Sequence, residues 1–219
     1  MNTARTLSMW ELRAILAACD RDKRWFGRRD KAMISTFALT GARAGAGVSL
    51  NAGQLVGADG IARGGFVVAR EYIKRKVHSE EFAIPEALKP LLEQAMADGK
   101  EHWRGHGPRA AFVSRRGLRL RREDVTRRLK ARCQEAGIDP THVSAHSLRH
   151  MSVDFADSPE CKAEGVASGA LPDGIENIEV ARLFAGHKNR ASTYSYVRSG
   201  LKRRVRTHVS GMLARAILE

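Results

Sequence analysis

Cysteine is scarce in this chain: Cys19, Cys133 and Cys161 are an odd number with no close spacing. Neither a disulfide framework nor a zinc site follows from such a set, and a reducing cytoplasm suits it. Acid is short as well, with 24 Asp and Glu against 38 Lys and Arg and a formal net charge of +14 in 219 residues. That imbalance points to a polyanionic partner, nucleic acid before any other. No stretch reaches the ~18 consecutive apolar residues of a membrane span, and the N-terminus lacks the charged-then-apolar layout of a signal peptide. No Gly-x-x-x-x-Gly-Lys-Ser/Thr phosphate loop and no Asp/Glu metal cluster stand out, so the expectation is chemistry without a nucleotide cofactor or a metal. Internal repeats and long linkers are also missing, which favours one domain over residues 1–219.

What is present builds an ordinary core, since 43% of the residues are apolar. Ser8, followed three residues later by Glu11 and then by Leu12, Ile15 and Leu16, is the reciprocal capping pattern of a helix start. A second helix is expected over about Asp30–Leu39, with Thr40-Gly41 turning the chain so that Arg43 falls at an element boundary. The texture then changes to Gly65–Val68, Tyr72–Lys76 and Phe82–Ile84 around a polar turn near His78, read as a small antiparallel sheet. Lys74 and Lys76 share one strand face there. Pro85 ends the sheet, and Pro90 must lie in the first turn of the helix carrying Leu91, Leu92 and Met96. Helical spacing recurs at Val125, Leu129 and Cys133 up to Gly137, then over His146–Ala156 and Glu176–Leu183. The segment 158–174, rich in Gly, Ala, Ser and Pro, reads as an exposed inserted loop. Val205, Val209, Met212, Leu213 and Ile217 mark an amphipathic C-terminal helix over 201–218. The fold class is mainly α with a small antiparallel β-sheet.

The residues that carry chemistry are spread along this pattern: Arg43, then His146 and Arg149, then His187 and Tyr196. A tyrosine hydroxyl with an ordinary pKa of about 10 attacks a phosphate at neutral pH only if its proton is removed or the developing charge is stabilised. Two guanidinium forks can hold non-bridging phosphate oxygens without a metal ion, and imidazoles can take or give the proton. Each of these residues alone is more often a surface ion pair or a packed side chain. As a set they can hold a phosphodiester and attack it.

Thr40-Gly41-Ala42-Arg43, His146-Ser147-Leu148-Arg149-His150, Phe184-Ala185-Gly186-His187 and Tyr196, nine positions after His187, together resemble the signature boxes of the tyrosine recombinases, or phage integrases. The resemblance covers nearly the whole chain and implies that family's catalytic-domain fold. It implies a site-specific recombinase that cuts and rejoins double-stranded DNA through a 3′-phosphotyrosine link, with Tyr196 as nucleophile and Tyr194 as a neighbour of no role. Arg43, Arg149 and His187 would hold the phosphate and His146 would assist proton transfer. Lys76, or alternatively Lys74, would protonate the departing 5′ oxygen, and His150 would be structural. Assembly on DNA from dimer to tetramer through the C-terminal helix is expected, as is a cytoplasmic place of work on the nucleoid, in a phage or mobile-element setting. Two further readings share the fold: a DNA-binding regulator without cleavage, and a relaxing enzyme like the type I B topoisomerases. The chain departs from the family pattern at Ala46, where an acidic residue is common, at the flanking Gly45 and Gly47, in the long stretch between Arg149 and His187, and in lacking an N-terminal DNA-clasping domain.

Overall fold

Ser8 caps the first helix as its spacing with Glu11 requires. In the computed structural model its hydroxyl accepts from the Glu11 N–H at 3.2 Å while the Glu11 carboxylate accepts from the Ser8 N–H at 2.8 Å. The structure describes residues 4–72, 79–185 and 195–218, the part from 195 to 202 by its backbone alone. Helix α1 (Met9–Arg21) buries Leu12, Ile15 and Leu16 and lies against α2 (Trp25–Thr40). The second helix begins five residues before the expected Asp30. Its first turns carry Arg28, Arg29 and Asp30, and these charges hide a helical face whose Arg29 and Asp30 are fully buried.

A buried ion network accounts for those charges. The Arg29 guanidinium donates to the Asp30 carboxylate at 2.5 and 3.0 Å and to the Val113 carbonyl at 2.6 Å. Arg132 donates to the other Asp30 oxygen at 2.8 and 3.1 Å and to Asp22 at 2.8 Å. Arg132 comes from α6 (Arg122–Glu135), so the network fastens α6 to α1 and α2. Buried charges persist only when each is paired and its remaining donors are satisfied, and Asp30 serves two guanidiniums at once.

Between α2 and α6 the chain forms α3 (Ala44–Ser49), α4 (Ala52–Leu55), β1 (Gly65–Val68), β2 (Glu80–Ala83) and α5 (Lys89–His102). The strands pair antiparallel, with Gly65 opposite Ala83 and Val68 opposite Glu80. This is the expected small sheet, with one correction: Tyr72 is not in a strand but ends a short 3-10 turn, Arg70–Tyr72. Pro90 stands in the first turn of α5, where its missing N–H is harmless. Gly137, at φ 73°, closes α6 as expected.

The remaining helices are α7 (Ala145–Ala156), α8 (Pro159–Ala167), α9 (Asn177–Ala185) and α10 (Ser195–Leu218). Helix α8 replaces the first part of the loop expected over 158–174, although most of that segment is exposed as expected. Ser158 caps it by accepting from the Cys161 N–H at 3.2 Å, and Pro159 occupies the first turn. Cys161 and Leu171 are buried, and a side chain at Gly165 would collide with Leu171 and His208. Gly165 marks the point of close packing, while most of the segment around it lies at the surface.

Helix α10 corrects a second expectation. Its stripe of Val205, Val209, Leu213 and Ile217 is buried within the chain's own core, against α9, β2, α2 and α1. That stripe is not available to join neighbouring protomers. Among the described residues no helix is long and apolar enough to cross a membrane.

Asp30→Asn leaves two buried guanidiniums short of charge and should lower the unfolding free energy by about 3–5 kcal/mol. Lys31→Ala, which removes only the partly exposed pair with Asp20, should cost about 1 kcal/mol or less. Urea denaturation of the two variants checks the contrast.

Candidate active site

Helix α7 places two of the expected residues by its own capping. Ser144 accepts from the His146 N–H at 3.2 Å, and the Ser147 hydroxyl accepts from the Ser144 N–H at 3.1 Å. His146 thus stands exposed in the first turn, and Arg149, one turn on, points inward and is only 6% exposed. Ser152 pins the helix to α2 by donating to the Ala38 carbonyl at 2.5 Å.

The buried guanidinium of Arg149 joins three distant segments. One terminal nitrogen donates to the Gly41 carbonyl and the other to the Ala185 carbonyl, the latter at 2.7 Å. Gly41 ends α2 in the left-handed region at φ 64°, and an added Cβ would stand 2.8 Å from the Phe184 ring. Only glycine satisfies both demands. The turn it makes sets Arg43, half-buried, as the N-cap of α3.

Helix α3 explains the departures around Ala46. Ala46 is buried, and a Cβ at Gly47 would overlap the ring of Phe37 on α2. Gly47 costs the helix roughly 1 kcal/mol in propensity but permits the close seat of α3, the helix that Arg43 caps, on α2. The far end of α3 is held by Arg119, which donates to the Val48 and Leu50 carbonyls at 2.9 and 2.7 Å.

Arg43, His146, Arg149, His150, Arg122 and Tyr72 line one cleft of about 1080 Å³. Three guanidiniums line it, Arg43, Arg122 and Arg149, with the carboxylates of Glu123 and Asp154 also in its wall. Burial pushes the Arg149 guanidinium down to about 10, aided by the repulsion of Arg43 and Arg206, and it remains charged at neutral pH. Partial desolvation in the cleft lowers the exposed His146 imidazole from its ordinary value, followed by repulsion from His150, Arg149, Arg43 and Arg122. The two imidazole rings are 6.0 Å apart, edge to face. A neutral imidazole beside two guanidiniums is able to accept a proton where an anion is held.

The structure therefore brings together Arg43, His146 and Arg149. Lys74, Lys76 and His187 lie outside the described residues, and for Tyr196 only the backbone is described, in the first turn of α10. Among the described residues no group of His, Cys, Asp and Glu could hold a metal ion. Two cleft residues, Arg122 and Tyr72, escaped sequence reasoning. Arg122 opens α6, and its place in the cleft depends on α6 docking beside α3.

Comparison with known proteins agrees with this geometry. A model of the phage integrase family matches residues 5–154. Tyrosine recombinase XerD of Pseudomonas putida is 28% identical over 193 residues, 88% of this chain and 56% of that protein. XerD of Shewanella oneidensis is 27% identical over 169 residues, 77% and 48% of the respective chains. The chain thus spans about half the length of the curated relatives it matches. In fold it is similar to a XerH site-specific recombinase bound to a palindromic difH substrate in a post-cleavage complex. The TM-score there is 0.57 at 15% identity, over 84% of this chain and 50% of that one. It is also similar to the XerA recombinase, with TM-score 0.55 at 18% identity over 90% and 62%.

The depressed imidazole gives a pH test. His146 should titrate below the ordinary 6.5 by nuclear magnetic resonance, and His150→Ala should move it upward. Because the folded value lies under the unfolded one, His146 adds no pH dependence to stability above about 6.5; as pH falls through the folded value, protonation favours the unfolded chain.

Proposed function

Because the chain belongs to the phage integrase family, we propose that it carries out site-specific recombination of double-stranded DNA by transient covalent attachment through Tyr196. The observation that carries this reading is the cleft in which Arg43, His146 and Arg149 converge, with Arg149 tied to the segments on either side. Arg43 and Arg149 hold the non-bridging oxygens and stabilise the crowded pentavalent transition state, a role in which fixed charges need no reorganisation. His187 adds a hydrogen bond to the same phosphate.

The bond changes balance without a cofactor. The Tyr196 oxygen bonds to phosphorus as its proton passes to neutral His146. The bond from phosphorus to the 5′ oxygen breaks, and Lys76, or Lys74 in the other register, protonates that oxygen. The 3′-phosphotyrosine keeps the energy of the cut bond, so a 5′ hydroxyl can reverse the step and rejoin the strands. Protomers assemble on DNA as a dimer to tetramer through surfaces other than the apolar stripe of α10, in the cytoplasm on the nucleoid. A regulator that binds without cutting was suggested by Ala46 and its flanking glycines, of which Gly47 is accounted for by the packing of α3 on Phe37. Relaxation of supercoils without exchange of strands would instead mark a topoisomerase-like activity.

Incubation with nicked candidate-site DNA, followed by a denaturing gel and mapping of the linked residue, tests the proposal. The wild-type chain should form an adduct on Tyr196, and Tyr196→Phe should abolish it while DNA binding persists. Adduct formation by that variant, or tight binding with no adduct by the wild type, would sink the assignment. Arg149→Ala should slow cleavage by about 10²–10³ fold, the cost of removing one donor at a developing charge. Affinity for DNA should fall steeply with added salt in a filter-binding titration, as counterions displaced from phosphates require.

A further inference from the structure

Arg206 is the most deeply buried charge near the cleft that the proposed chemistry leaves without a part. It lies on α10, is 3% exposed, and its Nε donates to the Phe184 carbonyl at 3.2 Å. One terminal nitrogen donates to the Glu81 carbonyl on β2, and the guanidinium carbon stands 4.2 Å from the centre of the Phe82 ring. The other terminal nitrogen has no hydrogen-bond partner among the described residues, the Glu80 carboxylate being 3.7 Å away. Burial pushes this guanidinium down to about 10, offset in part by Glu80 and Glu81 and deepened by Arg43.

Phe184 and Ala185 are the last two residues of α9. Their carbonyls belong to the final turn, which has no partners within the helix and carries the negative end of its dipole. Arg206 takes the first of the two carbonyls and Arg149 takes the second. Two guanidiniums from α10 and α7 therefore share the end of one helix, side by side. The Phe184 side chain packs over Gly41, whose carbonyl is the other partner of Arg149.

We propose that Arg206 is the positioning residue for Arg149: by fixing the end of α9 against β2 and α10, it fixes the carbonyl on which the phosphate-holding guanidinium hangs. The inference rests on the phosphate-binding role proposed for Arg149. Without Arg206 the Ala185 carbonyl loses its brace, and Arg149 loses the fixed position of one of the carbonyls that hold its guanidinium at the cleft. Arg206 touches no reacting atom in this scheme.

The test compares two substrates built on the nicked DNA that the wild-type chain cuts. One carries the ordinary phosphodiester at the scissile position, the other a neutral methylphosphonate, which makes little demand on a cation at the non-bridging oxygens. Arg206→Met should cut adduct formation at least tenfold relative to wild type on the phosphodiester and no more than about threefold on the methylphosphonate. Arg149→Ala should show the same pattern more strongly. A general loss of packing would lower both substrates alike, and equal losses would overturn the proposal. Arg206→Lys keeps the buried charge but not the fork. It should give the same asymmetry at smaller size, and it decides the matter if the methionine variant does not fold; wild-type rates on both substrates from either folded variant would also overturn it. Failure of the wild-type chain to form a Tyr196 adduct on either substrate would instead defeat the functional reading itself, and that outcome is distinguishable from the others.

Discussion

The hydrogen bonds from Arg149 to Gly41 and Ala185 are the constraint on which the candidate site depends. Partners 108 and 36 residues away in sequence meet at one buried side chain. A guanidinium is suited to this because it offers several donors in a rigid plane, so two carbonyls can be held while other N–H groups remain directed elsewhere. Burial of such a charge is costly unless its donors are used, and here the carbonyls at two helix ends supply acceptors that those helices leave over. The same interaction that holds the fold at this point therefore leaves a positive charge facing the cleft.

A second buried charge cluster, Asp22, Asp30, Arg29 and Arg132, plays the corresponding role away from the cleft. It binds α1, α2 and α6 through ionic contacts at a place where the helices bring charges rather than apolar faces together. With α6 held there, Arg122 at its start lines the same cleft as Arg43, beside Gly45 of α3. Positive residues at the starts of α3 and α6 and on α7 line the cleft because two buried joints, one of guanidinium–carbonyl bonds and one ionic, rather than one continuous motif, set the helices relative to each other.

How much of this was legible in the residue order follows from the range of each interaction. Ser8 with Glu11, Pro90, and the stripe Val125, Leu129 and Cys133 act within a turn or two, and each could be read directly. Arg43 was placed at an element boundary because Gly41 marks the turn locally. The helix within residues 158–174 was missed because Gly165 answers to Leu171 and His208, contacts that local composition does not encode. The start of α2 was missed because Arg29 and Asp30 look like surface residues until Arg132, a hundred positions later, is brought to them. Arg206 did carry a signal, since it sits three positions before Val209 on the apolar stripe of α10, and a charge on a buried stripe asks for partners. Which carbonyls would answer could not be read from one helix. The alternation of Lys74 and Lys76 belongs to residues outside those described.

The glycine at position 47 has a consequence for how such a site varies. Helix α3 rests on the Phe37 ring through bare backbone, so the seat of the helix that Arg43 caps is set by a methyl group that is not there. Any lineage that gained a side chain at this position would have to shrink the aromatic ring beneath it in the same step or accept a helix lifted off it. The seat of α3 is thereby recorded in a pair of residues, neither of which has any chemistry of its own.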